Sequence, residues 1–187
     1  MYRHRVLKLL APISADYNDK TLIFWFIPNI HRYVQKLLKK GEKCIYAQKT
    51  ASVEYFICDT DELKVETYAI ATYRNRPYRI LEATNVAQKG DFVITKNGDL
   101  PRQYRMSIST AQKRYKFDAK KKKGIATPIE DVQCFIKIKK NIAFVSPWGS
   151  VMYLVKGGYL NITGHHIYAI QEYSFEHTYI VVDKSKN

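Results

Sequence analysis

Lys89-Gly90-Asp91-Phe92-Val93 decides the fold, because the chain returns to it in Lys156-Gly157-Gly158-Tyr159-Leu160. In each, a glycine supplies the positive φ or bulge that a tight entry needs, and the aromatic and aliphatic residues after it suit a strand. Farther on, Tyr104-Arg105-Met106 aligns with Tyr168-Ala169-Ile170, and Tyr115 with Tyr179. The paired tyrosines are 11 residues apart in both places, while the hairpin before them is three residues shorter in the second. The recurring order of turn, strand, hairpin, strand and terminal Tyr predicts that residues 86–116 and 153–180 fold alike, since turn and spacing set strand register.

Around the first copy, Val53 to Cys58, Val65 to Tyr73, Tyr78 to Leu81 and Phe92 to Thr95 read as strands rich in β-branched and aromatic residues. Asn97-Gly98 is the strongest hairpin signal, a type I′ turn with positive φ at both positions, and Gln103 to Ile108 is the partner strand. Ser109 with Gln112 fits a capping box that opens a short helix through Tyr115. Beyond the charged run Lys120 to Gly124, strands resume at Val132 to Ile138, Ile142 to Val145, Val151 to Val155, Tyr159 to Ile162 and Ile167 to Gln171.

At the other end, Met1 to Ala15 reads as a first strand rather than a cleaved signal, because Lys8 and Pro12 interrupt its apolar part. Thr21 to Ile27 reads as a buried strand. Pro28 and Asn29 then lead into a helix over Ile30 to Lys40, where Ile30, Tyr33, Val34, Leu37 and Leu38 form one apolar stripe. Asn29 caps it, Lys39 and Lys40 suit its C-terminal end, and Gly41 stops it. The expected fold is α+β and β-rich, with two related small antiparallel β units, short helices, and an N-terminal strand and amphipathic helix. The expected organisation is residues 1–43 packing on the first unit, a first unit at 44–118, a basic linker at 119–127 and a second unit at 128–187.

Both copies resemble a family of small bacterial and phage proteins named for a Pro-Gly-Asp-Tyr-Gly motif, in which that turn precedes a strand, a hairpin and a short helix carrying Phe and Tyr. Gly90-Asp91-Phe92 and Gly157-Gly158-Tyr159 stand for the motif, and Phe175 and Tyr179 for the helix residues. Both copies lack the Pro, the second lacks the Asp, and Ala111 replaces the Phe in the first. The resemblance implies an architecture; the family has no assigned activity, so it implies no mechanism.

Apolar residues make up 46% of the 187 residues and aromatics 13%, enough for a folded core rather than a disordered chain. No stretch approaches the ~20 apolar residues that span a bilayer. Cys44, Cys58 and Cys134 are odd in number and widely spaced, which argues against a disulfide framework or structural zinc and for a reducing, cytoplasmic compartment. The net charge of +14 points toward polyanions, although a composition rich in Lys, Ile, Asn and Tyr also raises it without any ligand.

The glycines open no helix in a phosphate-cradle pattern. His165 and His166 point to opposite faces if a strand follows, so at most one joins His177 in a metal site. Asp59, Asp61 and Glu62 cluster in an expected loop, and no nucleophile motif is present, so neither a catalytic residue nor a cofactor is expected. Arginine interleaved with tyrosine is the more telling pattern. It occurs at Tyr73, Arg74, Arg76, Tyr78 and Arg79, at Arg102 and Arg105 around Tyr104, and at Lys113, Arg114 and Lys116 around Tyr115. Cations that track a phosphate backbone beside aromatic faces that stack on bases hold single strands in this way. A half-exposed strand with tyrosines inward gives the same pattern. The expected function is a non-enzymatic binding module for a polyanion, RNA or single-stranded DNA; the alternatives are a protein-interaction factor with an acidic partner, such as a phage accessory protein or bacterial effector, and a small hydrolase acting on a nucleotide-like substrate.

Overall fold

Gly90 and Gly157 hold φ of +91° and +96°. Gly90 N–H donates to Cys58 O (2.8 Å), Cys58 N–H to Asp91 O (2.8 Å) and Asp91 N–H to Gln88 O (3.0 Å). The second turn repeats all three bonds, from Gly157 to Ile138 O (2.9 Å), Ile138 to Gly158 O (2.9 Å) and Gly158 to Val155 O (3.0 Å). These turns lie in a β-rich α+β fold, a computed structural model that describes residues 6–9, 22–73, 76–98 and 100–183.

The chain runs through β1 (Val6–Leu9), β2 (Leu22–Ile27), α1 (Ile30–Lys39), β3 (Ile45–Lys49), β4 (Val53–Ile57), β5 (Leu63–Tyr73) and β6 (Arg76–Ala87). It continues through β7 (Phe92–Asn97), β8 (Leu100–Met106), α2 (Ile108–Arg114), β9 (Tyr115–Lys116), β10 (Lys123–Pro128), β11 (Val132–Lys137) and β12 (Ile142–Val145). The last elements are β13 (Val151–Leu154), β14 (Tyr159–Asn161), β15 (Tyr168–Ile170), α3 (Glu172–Thr178) and β16 (Tyr179–Val181).

Two five-stranded antiparallel sheets dominate, with orders β8-β7-β4-β10-β9 and β15-β14-β11-β3-β16. Position by position they correspond: Tyr104 pairs with Ile94 as Tyr168 pairs with Asn161, and Met106 with Phe92 as Ile170 with Tyr159. Helices α2 and α3 then lead into β9 and β16 through Tyr115 and Tyr179, each of which caps its helix. Each sheet takes one strand from the other half of the chain. Consecutive strands β3 and β4 lie in different sheets, and so do β10 and β11, so residues 50–52 and 129–131 are two crossovers. Ala47 and Ala126, both fully buried, occupy matching places on the exchanged strands, opposite Gln133 and Val53.

The stretch expected as a linker, 119–127, therefore ends in structure: β10 fills the gap between β4 and β9. Its alternation puts Ala126 in the core while Ile125 stays exposed, a half-buried strand that the lysines before it obscure. The N-terminal segment also packs elsewhere than expected. Strand β2 pairs in parallel with β12, extending the β12–β13 hairpin into the sheet β1-β2-β12-β13. A helix that follows a strand folds back onto that strand's own sheet. Accordingly, Ile30 and Val34 of α1 pack with Ile136, Ile138, Phe144 and Leu160, on the second unit rather than the first. Asn29 caps α1 as expected, its side chain accepting from Arg32 N–H at 2.9 Å.

Two local expectations shift. Asn97 pairs with Leu100 as the last residue of β7 and has no positive φ, so the hairpin turns after it, with Gly98 at +59°. Helix α2 is capped by Ser107, whose side chain accepts from Thr110 N–H at 3.3 Å, two residues before the expected Ser109.

Candidate functional site

A cavity of about 400 Å³ opens between the two five-stranded sheets, beside the second crossover. Lys49 and Pro128 reach it from the exchanged strands, Ile129 and Asp131 from the second crossover and Gln133 from β11. Tyr104 and Tyr115 enter from the first sheet, Tyr168 and Tyr179 from the second, so the paired tyrosines of both units face one space. Arg105, Lys113, Arg114, Trp148 and His166 also line it.

Polar contacts knit the units together at this point. Lys49 Nζ donates to Tyr115 Oη at 2.6 Å and to Tyr104 Oη at 3.3 Å, and the two phenols are 3.1 Å apart. The guanidinium of Arg114 lies 5.7 Å from the ring centre of Tyr168, close enough for a cation–π attraction. The Tyr168 hydroxyl accepts from Asn161 Nδ2 at 2.8 Å and donates to Gln133 Oε1 at 3.4 Å. A cation beside two phenols would normally favour ionisation, but burial wins here. It holds Tyr115 well above the ordinary phenol value, helped by Tyr104, and it raises Tyr168 against the opposing pull of Arg114. Both phenols are uncharged at neutral pH, and Tyr168 gives its proton to Gln133.

The expected binding residues divide into three groups. Arg105, Lys113 and Arg114 come together on the cavity, all exposed. Arg105 is partly occupied by an ion pair with Asp91 at 3.3 Å. Lys116, exposed on β9, does not line the cavity. Tyr73, Arg76, Tyr78 and Arg79 lie in the backbone of the β5–β6 ribbon and Arg102 in β8, their side chains outside the described residues, as is Arg74 altogether. Of the late histidines, His166 lines the cavity, whereas His177 stacks on Tyr173 with ring centres 4.0 Å apart. Among the described residues no three of His, Cys, Asp and Glu gather as metal ligands.

Sequence reasoning missed Lys49, Thr67, Asn97 and Trp148. Lys49 acts across a crossover and has no local signal, and Asn97 looked like a turn residue. Thr67 and Asn97 line the cavity at only 4% and 3% exposure. Thr67 Oγ1 and Asn97 Oδ1 have no hydrogen-bond partner among the described residues, and both atoms are sealed from solvent. No family model, curated protein or solved structure matches this chain.

Proposed function

We propose that the protein is a non-enzymatic binding module for RNA or single-stranded DNA, and that the inter-unit cavity receives one nucleotide of the strand. The two sheets are, in this reading, diverged copies of one unit whose exchange of strands builds the cavity between them. The observation that carries the proposal is the meeting of Lys49, Lys113 and Arg114 with Trp148 and four tyrosines around a single space. Phosphate needs cations and donors, and a base needs aromatic faces; both lie within one cavity of ligand size. Phenols that stay uncharged do not repel an anion. A chain with net charge +14 also draws such a ligand from a distance.

The test is a titration of labelled single-stranded RNA and DNA across a salt series. Log K should fall with log salt by about 0.7 per phosphate neutralised, and Lys113→Ala with Arg114→Ala should flatten that slope by roughly 1.4 units if each meets a phosphate. Absence of binding at low ionic strength overturns the proposal and leaves the acidic-partner reading in its place.

A further inference from the structure

Of the five Tyr and Trp residues that line the cavity, four are built into the cores of the two units. Tyr115, 4% exposed, belongs to the first core, and Tyr104 packs against it. Tyr168 and Tyr179 pack against the second core. There Tyr179 lies parallel to Phe175 and edge-on to Phe135, each at 5.2 Å between ring centres, while Arg114 lies over Tyr168. These four rings make the walls, and their faces are largely taken up within the protein.

Trp148 differs. It is 47% exposed, lines the cavity, and among the described residues no ring, cation or hydrogen-bonding group engages its indole. It stands on the turn between β12 and β13, in the four-stranded sheet rather than in either five-stranded unit. That turn is fixed. Ser146 N–H donates to Ser150 O at 2.8 Å, and Gly149 N–H donates to Ser146 O at 3.0 Å with Gly149 at φ +87°. Ser150 Oγ donates to Thr84 O on β6 at 3.3 Å, which ties the turn to the neighbouring ribbon. A ring already held in place loses little freedom when a flat ligand settles on it. A half-exposed tryptophan is ordinary on a protein surface; Trp25, 41% exposed, has Lys140 Nζ 5.8 Å from its ring centre and stands apart from the cavity. What sets Trp148 apart is an open ring in the same cavity as Lys113 and Arg114.

We infer that Trp148 is the stacking platform of the site, the ring on which one unpaired base of the strand lies while Lys113 and Arg114 meet its phosphates. The inference rests on the nucleic-acid reading above and adds to it which of the five rings takes the base. Stacking on an indole needs only a flat π-face, which every base has, so the platform accepts any base. A base inside a duplex has both faces against its neighbours and must be unstacked before it can reach a protein ring. The platform therefore favours single strands over duplexes without reading their sequence.

Fluorescence titration of the full chain carrying Trp25→Phe, in which Trp148 is the sole tryptophan, tests this. Saturation with a single-stranded oligoadenylate should quench the Trp148 emission. An abasic oligomer of the same length, which keeps the phosphates, should bind without quenching it. If Trp25→Phe does not fold, the difference in quenching between the parent and Trp148→Phe gives the same reading. With labelled strands followed by anisotropy, Trp148→Ala should weaken oligoadenylate binding roughly 5- to 150-fold, the worth of one base stack. It should leave abasic binding and the salt slope unchanged, since no phosphate contact is lost, and Trp148→Phe should keep most of the parent affinity. The quenching measurement leaves residue 148 intact and decides the matter if Trp148→Ala does not fold. Unquenched emission at saturation, or equal oligoadenylate affinity in Trp148→Ala, overturns the platform; the nucleic-acid proposal survives, because anisotropy has then recorded strand binding. No anisotropy change with either oligomer at low ionic strength overturns the nucleic-acid proposal itself, and the platform falls with it.

Discussion

The two five-stranded units reach the same framework with different side chains, and the differences fall where each unit meets the cavity or fills its core. In the second unit Phe175 stacks on Tyr159 with ring centres 3.9 Å apart and on Tyr179 at 5.2 Å. Its counterpart in the first unit, Ala111, offers only a methyl group. There Phe117, just past β9, packs on Phe92 at 4.8 Å and Tyr55 at 5.3 Å, so an aromatic reaches that core from another point of the chain. Asp91 takes Gln88 N–H at 3.0 Å. A Cβ at the matching Gly158 would sit 2.3 Å from Leu154 Cδ1 and 3.0 Å from Ile170 O, so the second turn has no room for an acid there without a shift of its neighbours. At the helix ends Arg114 faces the cavity with a cation, whereas Thr178 spends its hydroxyl on Ser174 O at 2.6 Å. The framework tolerates either filling, and of the two helix ends only that of α2 adds a cation to the cavity.

The strongest way to break this comparison is to cut the chain between the units. Separating residues 1–118 from 119–187 removes β10 from the first sheet and β3 from the second, each an inner strand. Neither fragment should show a cooperative urea transition by circular dichroism, and an equimolar mixture should regain one. A fragment that unfolds cooperatively alone would mean that the units do not depend on the exchange.

Next in size are the aromatic substitutions. Phe175→Ala should cost about 3–5 kcal/mol, because nothing in the second unit substitutes for Phe117. Ala111→Phe should not gain stability but lose about 1–3 kcal/mol, since Ala111 is wholly buried and Phe117 already serves that core. Paired urea titrations measure both, and a stabilising Ala111→Phe would refute the compensation.

The smallest effect concerns pH. Burial raises the folded-state value of Tyr115 above the ordinary 10.0, so the unfolded chain ionises first. The phenol's contribution is intact below pH 10, and above it stability falls as the unfolded state loses protons that the folded state keeps. Tyr115→Phe should flatten this alkaline decline in urea midpoints measured between pH 9 and about 11. Parallel declines in both proteins would show that Tyr115 is not a group behind it.

Local chemistry made much of the framework legible. Gly90 and Gly157, the alternating strands, the Asn29 cap and the apolar stripe of α1 each act over a few residues, so pattern alone places them. Tyr104, Tyr115, Tyr168 and Tyr179 were also marked by their spacing, although not by what they surround. The sequence by itself determined a basic chain with two β-rich segments of matched turn and tyrosine order. Tertiary structure decided which sheet each strand joins, because a three-residue crossover at 50–52 or 129–131 is as compatible with local preference as a hairpin. It also decided that α1 covers the second unit, through a parallel pairing of β2 and β12 whose partners are far apart in the chain. The cavity follows from those choices: Lys49 meets Tyr115 only because strands from both halves exchange, and no residue's neighbours in sequence carry that information.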